Sequence, residues 1–121
     1  MAEGKRVSTL KLRETVRQLV GMLVAGDYAD LEGASRGRRL TAEQLRQAVE
    51  EYGRELRMPP EPVFDNIEDV IELEDATRRA WSVLVDLWTV EEGRSDLTLE
   101  LVLTETGGEQ YDIQIWDLHV L

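Results

Sequence analysis

The sequence predicts an α+β domain in which two or three N-terminal helices pack on a curved antiparallel meander of about four strands. Apolar residues recur at helical spacing in the first half of the chain, whereas they alternate with polar residues in the second half. All three prolines fall between the two halves, in the segment "RMPPEP" at residues 57–62. We expect this segment to be an extended connector, because proline and the residue before it disfavour helix.

Two helices are predicted before the first arginine-rich loop. The first runs from about Ser8 to Ala25, where apolar residues keep helical spacing until Gly26 ends the run. The segment "DYADLEG" at Asp27–Gly33 then predicts a short second helix with an aspartate as its cap. Residues 1–7 precede the periodic pattern and are expected to form a flexible N-terminus, so the single predicted domain spans residues 8–121.

The third helix is predicted from "TAEQLRQAVEEYG" at residues 41–53. Thr41 and Gln44 have the spacing of a capping box, in which each side chain accepts a hydrogen bond from the other residue's backbone N–H. An apolar stripe runs from Leu45 to Tyr52, and Gly53 closes the helix.

The second half of the chain predicts four strands, separated by turn residues. The predicted strands are Asp69–Leu73, Ala80–Val90, Leu97–Glu105 and Tyr111–Leu121. The glycines of "TGGE" at residues 106–109 are typical of a tight hairpin, and "EEGRSD" at residues 91–96 predicts a longer hairpin loop. Consecutive strands joined in this way form an antiparallel meander.

The charge of the chain disfavours nucleic-acid and membrane partners. The 121 residues include 25 Asp and Glu against 14 Lys and Arg, which gives a formal net charge of −11. Such a surface repels phosphate backbones and anionic membranes, and "RGRR" at Arg36–Arg39 is interpreted as solvated loop charge. We therefore expect no nucleic-acid and no membrane partner. A basic protein partner suits an acidic domain, because opposite charge speeds the encounter.

Composition also limits the chemistry and the compartment. The chain has no cysteine and one histidine, which excludes disulfides and thiolate metal sites and disfavours a zinc site, so no metal and no cofactor is expected. The apolar stretch "LVGMLVAG" at Leu19–Gly26 is short and continues the first helix, so it predicts neither a targeting segment nor a membrane span. These features predict a cytoplasmic protein.

The two faces of the predicted sheet differ in character. Odd-numbered positions are almost purely apolar and predict the face under the helices, whereas the other face carries large apolar residues where water is expected. A partner surface, for a second copy or another protein, is therefore predicted on Leu84, Asp86, Trp88, Val102, Trp116 and Leu118. Asp86 is placed to pair with an arginine there. The alternative is that the N-terminal segment or the proline connector covers this face.

The last segment, "YDIQIWDLHVL", changes parity, because its apolar residues move from odd to even positions at Trp116. A regular strand would turn Asp117 and His119 toward the core as an acid–imidazole pair suited to acid–base catalysis. Residues i and i+2 of a strand lie about 7 Å apart, so a direct bond between the two is expected to be strained. Each side chain would then act on a ligand separately.

A β-bulge near Trp116 is the alternative to a regular last strand. One extra residue there flips the register, so that Leu118 and Val120 enter the core while Asp117 and His119 face solvent. Burying two apolar side chains instead of an acid and an imidazole is favoured by several kcal/mol. The sequence therefore predicts the bulge.

A long helix ending "LVAGDYADLEG", a further helix "AEQLRQAVEEYG" and a curved antiparallel meander resemble the NTF2-like, or cystatin-like cone, superfamily. In that family the second helix often follows a "GDY"-type break, as at Gly26–Tyr28 here. A strand or hairpin usually lies between the second and third helices, whereas "GASRGRRL" at residues 33–40 is a poor strand. The resemblance implies a half-open cone around a pocket, with Tyr28, Tyr52 and Trp81 as walls.

The NTF2-like superfamily includes small-molecule isomerases and dehydratases, homodimeric binding modules, and proteins similar to bacterial immunity factors. Charge and this resemblance together favour a non-catalytic bacterial protein-binding domain, such as an immunity- or antitoxin-type partner of a basic protein. The alternative is an NTF2-like homodimer with a small-molecule pocket, or with lyase or isomerase activity through Asp117 and His119.

Overall fold

Helices come first and strands follow in a computed structural model that describes residues 2–67, 69–74, 77–108 and 110–120, with side chains from Leu10 onward. In chain order the elements are α1 (Ala2–Ala25), α2 (Tyr28–Ala34), α3 (Ala42–Tyr52), β1 (Leu56–Arg57), α4 (Glu61–Asp65), β2 (Asp69–Leu73), β3 (Ala80–Thr89), β4 (Gly93–Glu105) and β5 (Tyr111–Val120). The predicted α+β class is confirmed, and the arrangement is consistent with the NTF2-like one. The last residue of the predicted final strand, Leu121, lies outside the described residues.

A single antiparallel sheet is built around β3. One edge of β3 pairs with β4, and β5 pairs with the far side of β4. The other edge pairs with two short strands, since β2 lies opposite residues 80–84 and β1 opposite residues 88–89. The sheet edge is therefore interrupted at residues 85–87. Because β4 begins at Gly93, the hairpin before it is shorter than the loop predicted over residues 91–96.

The core lies between the helices and the odd-numbered face of the sheet, as the alternation predicts. Val83 of β3 and Leu101 of β4 are fully buried, and so are Val16 and Val20 of α1. Successive strand residues point to opposite faces, so Ser82, Leu84, Asp86 and Trp88 of β3 point away from this core and are only half-buried. Among the described residues, no helix is both long and apolar enough to cross a membrane.

The helix ends agree with the sequence only in part. In α3 the Thr41 hydroxyl accepts a hydrogen bond from the Gln44 N–H at 3.2 Å, and the Gln44 side chain accepts one from the Thr41 N–H at 2.9 Å, which confirms the capping box. Gly53 ends this helix at φ 74°, a conformation that glycine adopts without steric cost. By contrast, α1 begins at Ala2 instead of Ser8, and the Asp27 side chain makes no cap hydrogen bond to α2.

Two elements that the sequence did not predict overlap the ends of the proline connector. β1 has two residues, too few for alternation to reveal. α4 follows Pro60 and has Pro62 in its first turn, where proline is tolerated because those N–H groups lack helical partners. Phe64 of α4 is fully buried in the core, and Arg13 of α1 binds Asp65 at 2.7 Å. The expectation of an extended connector is therefore wrong after Pro60, and the sheet has five strands instead of four.

The loop between α2 and α3 crosses the outer edge of β5, and its residues Arg36–Arg39 are termed the arginine strap. Arg39 forms a one-residue parallel bridge with Ile115, so the strap covers part of a strand edge that would otherwise be open to pairing. Arg36 and Arg39 have φ angles of 58° and 69°, which residues other than glycine adopt rarely. The prediction of solvated loop charge is wrong for Arg38, which is half-buried on β5. Arg39 is exposed as predicted, although its side chain also donates to β5.

Arg38 holds the arginine strap on β5. Its guanidinium binds the Asp112 carboxylate bidentately, from Nη1 at 3.0 Å and from Nη2 at 2.8 Å. Nη2 also donates to the Ile113 carbonyl oxygen at 2.9 Å, and Nε donates to the Ser35 carbonyl oxygen at 3.1 Å. The hydrogen bond from Arg38 lowers the pKa of Asp112, against the opposing effect of burial. Charge-assisted bonds of this kind are roughly twice as strong as neutral ones.

Replacing Arg38 with alanine is expected to lower the free energy of unfolding by about 2 kcal/mol, because half-buried acceptors on Asp112 and Ile113 lose their donor. Urea unfolding followed by circular dichroism measures the change. Arg36→Ala is the matched control, since it removes the same charge from an exposed position of the same strap. It should change the free energy by less than about 0.5 kcal/mol, and equal effects of the two substitutions would contradict the clamp.

The difference in stability between wild type and Arg38→Ala depends on pH. The pKa of Asp112 is lower in the folded protein than in the unfolded chain, so the clamp contributes fully above the unfolded value. This contribution is lost as the pH falls from the pKa of Asp112 in the unfolded chain, about 4, through its lower pKa in the folded protein. The difference in stability between wild type and Arg38→Ala should therefore shrink below about pH 4. A difference that does not change with acidification would show that Asp112 is not the partner.

Candidate functional site

The candidate site is the face of the sheet that points away from the helices, termed the open face. Its side chains come from β3, β4 and β5, and all are at least partly exposed except Thr98, which is buried. They are Ser82, Leu84, Asp86, Trp88, Arg94, Thr98, Glu100, Val102, Gln114, Asp117 and His119. Four of the six predicted interface residues lie here and are half-buried, namely Leu84, Asp86, Trp88 and Val102.

Three carboxylates are aligned by the strand register across the open face. Glu100 of β4 is directly opposite Asp117 of β5, and Asp86 of β3 lies in the next row of the same face. A cationic group placed over these rows would meet three carboxylates at once, and each adds to its attraction.

Asp86 makes the arginine pairing that the sequence predicts. Nε of Arg94 donates to Oδ2 of Asp86 at 2.9 Å, and the Thr98 hydroxyl donates to Oδ1 at 3.2 Å. The Arg94 side chain is 73% exposed, so the pair contributes little stability. The Asp86 side chain is still 34% exposed and stays accessible from the open face.

The β-bulge predicted near Trp116 is confirmed. Neighbouring residues of β4 pair with Ile115 and Asp117 of β5, so Trp116 is an extra residue in the strand. The bulge returns Leu118 to the core side, where it is 6% exposed. The predicted interface role of Leu118 is therefore wrong. Val120 is 57% exposed, so its predicted burial is wrong as well.

Asp117 and His119 lie together on the open face and bind each other, with His119 Nδ1 2.7 Å from Asp117 Oδ2. The two side chains therefore bond directly instead of standing apart, and the other oxygen of the Asp117 carboxylate accepts the Leu118 N–H at 2.8 Å. Burial acts to raise the pKa of Asp117. Hydrogen bonds from His119 and Leu118 and the charge of Arg39 outweigh this effect, so the pKa lies below its usual value. The resulting carboxylate orients the imidazole ring.

Two tryptophans, Trp88 on the open face and Trp116 at the bulge in β5, each have an arginine near the ring. The guanidinium carbon of Arg39 is 3.6 Å from the ring centroid of Trp116, and Arg39 Nε donates to the Trp116 carbonyl oxygen at 3.1 Å. Arg57 of β1 lies 5.3 Å from the ring centroid of Trp88. Cation–π attraction favours these positions of the rings. Trp116 nevertheless remains 38% exposed.

A cleft of about 350 Å³ lies between α4 and the open face, where the sheet edge is interrupted. It is lined by Pro62, Val63, Asn66, Ile67, Asp69, Leu84, Val85, Asp86, Trp88 and Arg94. This size is at the lower end of the range for small-ligand pockets. The lining includes neither Asp117 nor His119, so the acid–imidazole pair and the cleft are separate features.

The three predicted pocket walls also lie outside the lining of the cleft. Trp81 is 7% exposed and makes an edge-to-face contact with Tyr111, with ring centroids 5.8 Å apart. At the other end of β3, the Tyr52 hydroxyl donates to the Glu92 carboxylate at 2.9 Å, while Tyr28 packs on the core from α2. The structure thus places Trp81 and Tyr52 at opposite ends of β3.

The roles of Arg39, Arg94 and Glu100 at the site are not predicted from the sequence. Alternation along β4 was enough to place Glu100 on the open face, and the acid opposite it in β5 becomes apparent only once the bulge fixes the register. Arg39 and Arg94 approach through a loop and a hairpin, whose positions depend on tertiary contacts that no local pattern encodes.

Comparison with known proteins gives one match. A family model described as Domain of unknown function (DUF7668) matches residues 20–121, so the chain belongs to this family. No curated protein and no solved structure matches the chain. The matched range contains all five strands, and hence the whole of the open face.

Proposed function

We propose that this member of the DUF7668 family is a non-catalytic protein-binding domain that takes a basic protein partner on its open face. The observation that carries the proposal is the placement of Glu100 directly opposite Asp117, with Asp86 in the next row. A partner that presents lysine or arginine side chains over these rows would form ion pairs with them.

The charge of the whole molecule supports the same class of partner. A formal net charge of −11 attracts basic proteins at long range and repels acidic ones. Electrostatic attraction of this kind raises association rates from about 10⁵–10⁶ to as much as about 10⁸–10⁹ M⁻¹s⁻¹ at low salt. The narrower form of the proposal is an immunity- or antitoxin-type role, in which the open face covers a basic toxin.

The two tryptophans supply the apolar part of such an interface. Tryptophan is enriched among the residues that dominate binding energy, because it offers a large rigid surface. Arg39 contacts the ring of Trp116 and Arg57 lies near that of Trp88, so both rings have a neighbour that limits their motion before a partner arrives. Side chains ordered in advance lose less entropy on binding.

A second candidate is a homodimer that binds a small molecule and acts through Asp117 and His119. The 2.7 Å contact between the two side chains favours it, since a carboxylate that orients an imidazole supports acid–base chemistry. The pair lies outside the lining of the cleft, on a face where Asp117 is 48% and His119 31% exposed. Exposure to water weakens the electrostatic effects that catalysis needs, so the protein-binding function is preferred.

Affinity capture from the cells that make the protein, followed by native mass spectrometry, tests the proposal. We expect the wild type to retain a basic protein at fixed stoichiometry. The double variant Glu100→Gln/Asp117→Asn removes two charges from the open face and should lose that protein at the same ionic strength. The control Asp30→Asn/Glu51→Gln removes two charges from exposed positions of α2 and α3 and should retain it.

Two results would contradict the proposal. One is the absence of a stoichiometric basic protein, or its equal recovery by the open-face variant and the helix variant. The other is a homodimer that carries a small bound mass, which would favour the second candidate and Asp117 with His119.

A further inference from the structure

The cleft beside α4 combines an apolar wall with acidic groups, and the chemistry of its occupant follows from that combination. Val63 and Ile67 are half-buried on the side of α4, and Leu84 lies on the side of the open face. Asp69 and Asp86 also line the cleft. A long aliphatic stem that ends in a cation matches both parts, because its stem buries apolar surface while its head meets a carboxylate.

The register places the two carboxylates of the cleft at diagonal positions on one face of the sheet. Asp69 of β2 pairs with Leu84, and Asp86 lies two residues further along β3. Diagonal neighbours of this kind are about 7–8 Å apart. Side chains attached at that spacing can converge on one planar cation, with a hydrogen bond to each carboxylate.

Arg94 shows which cation Asp86 accepts. Its guanidinium Nε already donates to Asp86 Oδ2 at 2.9 Å, in an ion pair whose arginine side chain is 73% exposed. An exposed pair of this kind is weak. A second guanidinium that enters the cleft and buries its stem therefore competes well with Arg94 for the same carboxylate.

We propose that the cleft binds an arginine side chain of the basic partner, with the stem against Ile67 and Leu84 and the guanidinium between Asp69 and Asp86, an inference that rests on the proposed protein-binding function. A guanidinium has five N–H donors in one plane and bridges two carboxylates, whereas an ammonium is a compact and more strongly hydrated charge. The cleft thus selects arginine over lysine.

Titration of the full chain with n-butylguanidinium, without a partner protein, tests the proposal. ¹H–¹⁵N NMR of the Trp88 indole N–H monitors the binding. We expect a saturable shift at millimolar probe. n-Butylammonium should bind at least fivefold more weakly, and neutral n-pentanol should give no saturable shift. The absence of a saturable shift with n-butylguanidinium, or equal binding of n-butylammonium, would overturn the assignment.

Matched variants locate the binding. Asp86→Asn and Asp69→Asn should each weaken n-butylguanidinium binding at least fivefold, because each removes one of the two carboxylates. Asp30→Asn is the control, since it makes the same change at an exposed position of α2 outside the lining of the cleft, and it should change binding less than twofold. Asp69 is exposed at the start of β2, so its variant should fold even if Asp86→Asn does not. Equal loss in Asp69→Asn and Asp30→Asn would overturn the site.

The outcome separates this proposal from the proposed function. If a basic protein is captured but n-butylguanidinium does not bind, the cleft assignment fails and the open face stands. If n-butylguanidinium binds as expected but no basic protein is captured, the cleft stands as a guanidinium site and the protein-binding function fails.

Discussion

Replacing Leu118 with alanine should lower the free energy of unfolding by about 3 kcal/mol, since it leaves a cavity in the core. Leu118 is 6% exposed and pairs with the buried Leu99 of β4, so water does not fill the space that the lost methyl groups leave. It reaches the core only because Trp116 forms a bulge two residues earlier. Urea unfolding measures the change, and the slope of the unfolding line should stay the same.

Two neighbouring variants serve as controls for the register of β5. Val120→Ala should cost less than about 0.5 kcal/mol because Val120 is 57% exposed. His119→Ala should cost less than about 1 kcal/mol, since it removes only a partly exposed pair with Asp117. A strand without the bulge would reverse the order, so a larger loss in His119→Ala than in Leu118→Ala would contradict the structure.

Charge reversal of Glu100 by arginine should weaken binding of the captured basic protein by about 100-fold, equivalent to about 2.7 kcal/mol. The substitution replaces attraction with repulsion at the centre of the open face, where like charges across an interface cost several kcal/mol. The folded domain should tolerate the change, because arginine opposite Asp117 forms a cross-strand pair of opposite charge. Binding kinetics at two salt concentrations measure the affinity and its electrostatic part.

Glu51→Arg is the control for charge reversal. It makes the same change of two charge units at an exposed position of α3, on the other side of the sheet. It should lower the association rate slightly through the net charge and leave the dissociation rate unchanged. If Glu51→Arg weakened binding as much as Glu100→Arg, attraction would be general and the open face would have no special role.

The features that the sequence predicts correctly are those set by local chemistry. The capping box of α3 depends on Thr41 and Gln44, which are three residues apart, and its geometry leaves few alternatives. The bulge follows from the parity of apolar residues around Trp116 and from the cost of burying Asp117 and His119. The bulge is favoured by several kcal/mol and the cap by about 1 kcal/mol. Both preferences are set within a short segment, so the sequence alone decides.

The features that the sequence does not predict depend on contacts between distant segments. Arg38 and Arg39 look like solvated charges until β5 lies beside them, because Asp112 and Trp116 are more than seventy residues away in the chain. α4 starts within a proline-rich segment and is stabilised by burial of Phe64 in the core. Neither the β5 partners of the two arginines nor the core around Phe64 can be identified from a short stretch of sequence.

The candidate site was predicted in outline and corrected in detail. Alternation along β3 places Asp86 and Trp88 on the open face, as the structure has them. Alternation in a regular strand places Leu118 on the open face, whereas the bulge places it in the core, and the structure has the bulge. The opposition of Glu100 and Asp117 requires the register of two strands that are joined by a hairpin, and strand pairing of this kind is fixed by the complete sheet.

Carboxyl-group footprinting of the captured complex tests the central claim, that the open face binds a basic protein, most directly. Carbodiimide coupling labels exposed carboxylates, and mass spectrometry locates the label. The account predicts that Glu100 and Asp117 lose at least three quarters of their labelling in the complex, whereas Asp30 and Glu51 on the helices keep theirs. Unchanged labelling of Glu100 and Asp117, with protection on the helices, would contradict the claim and place the partner on the other side of the molecule.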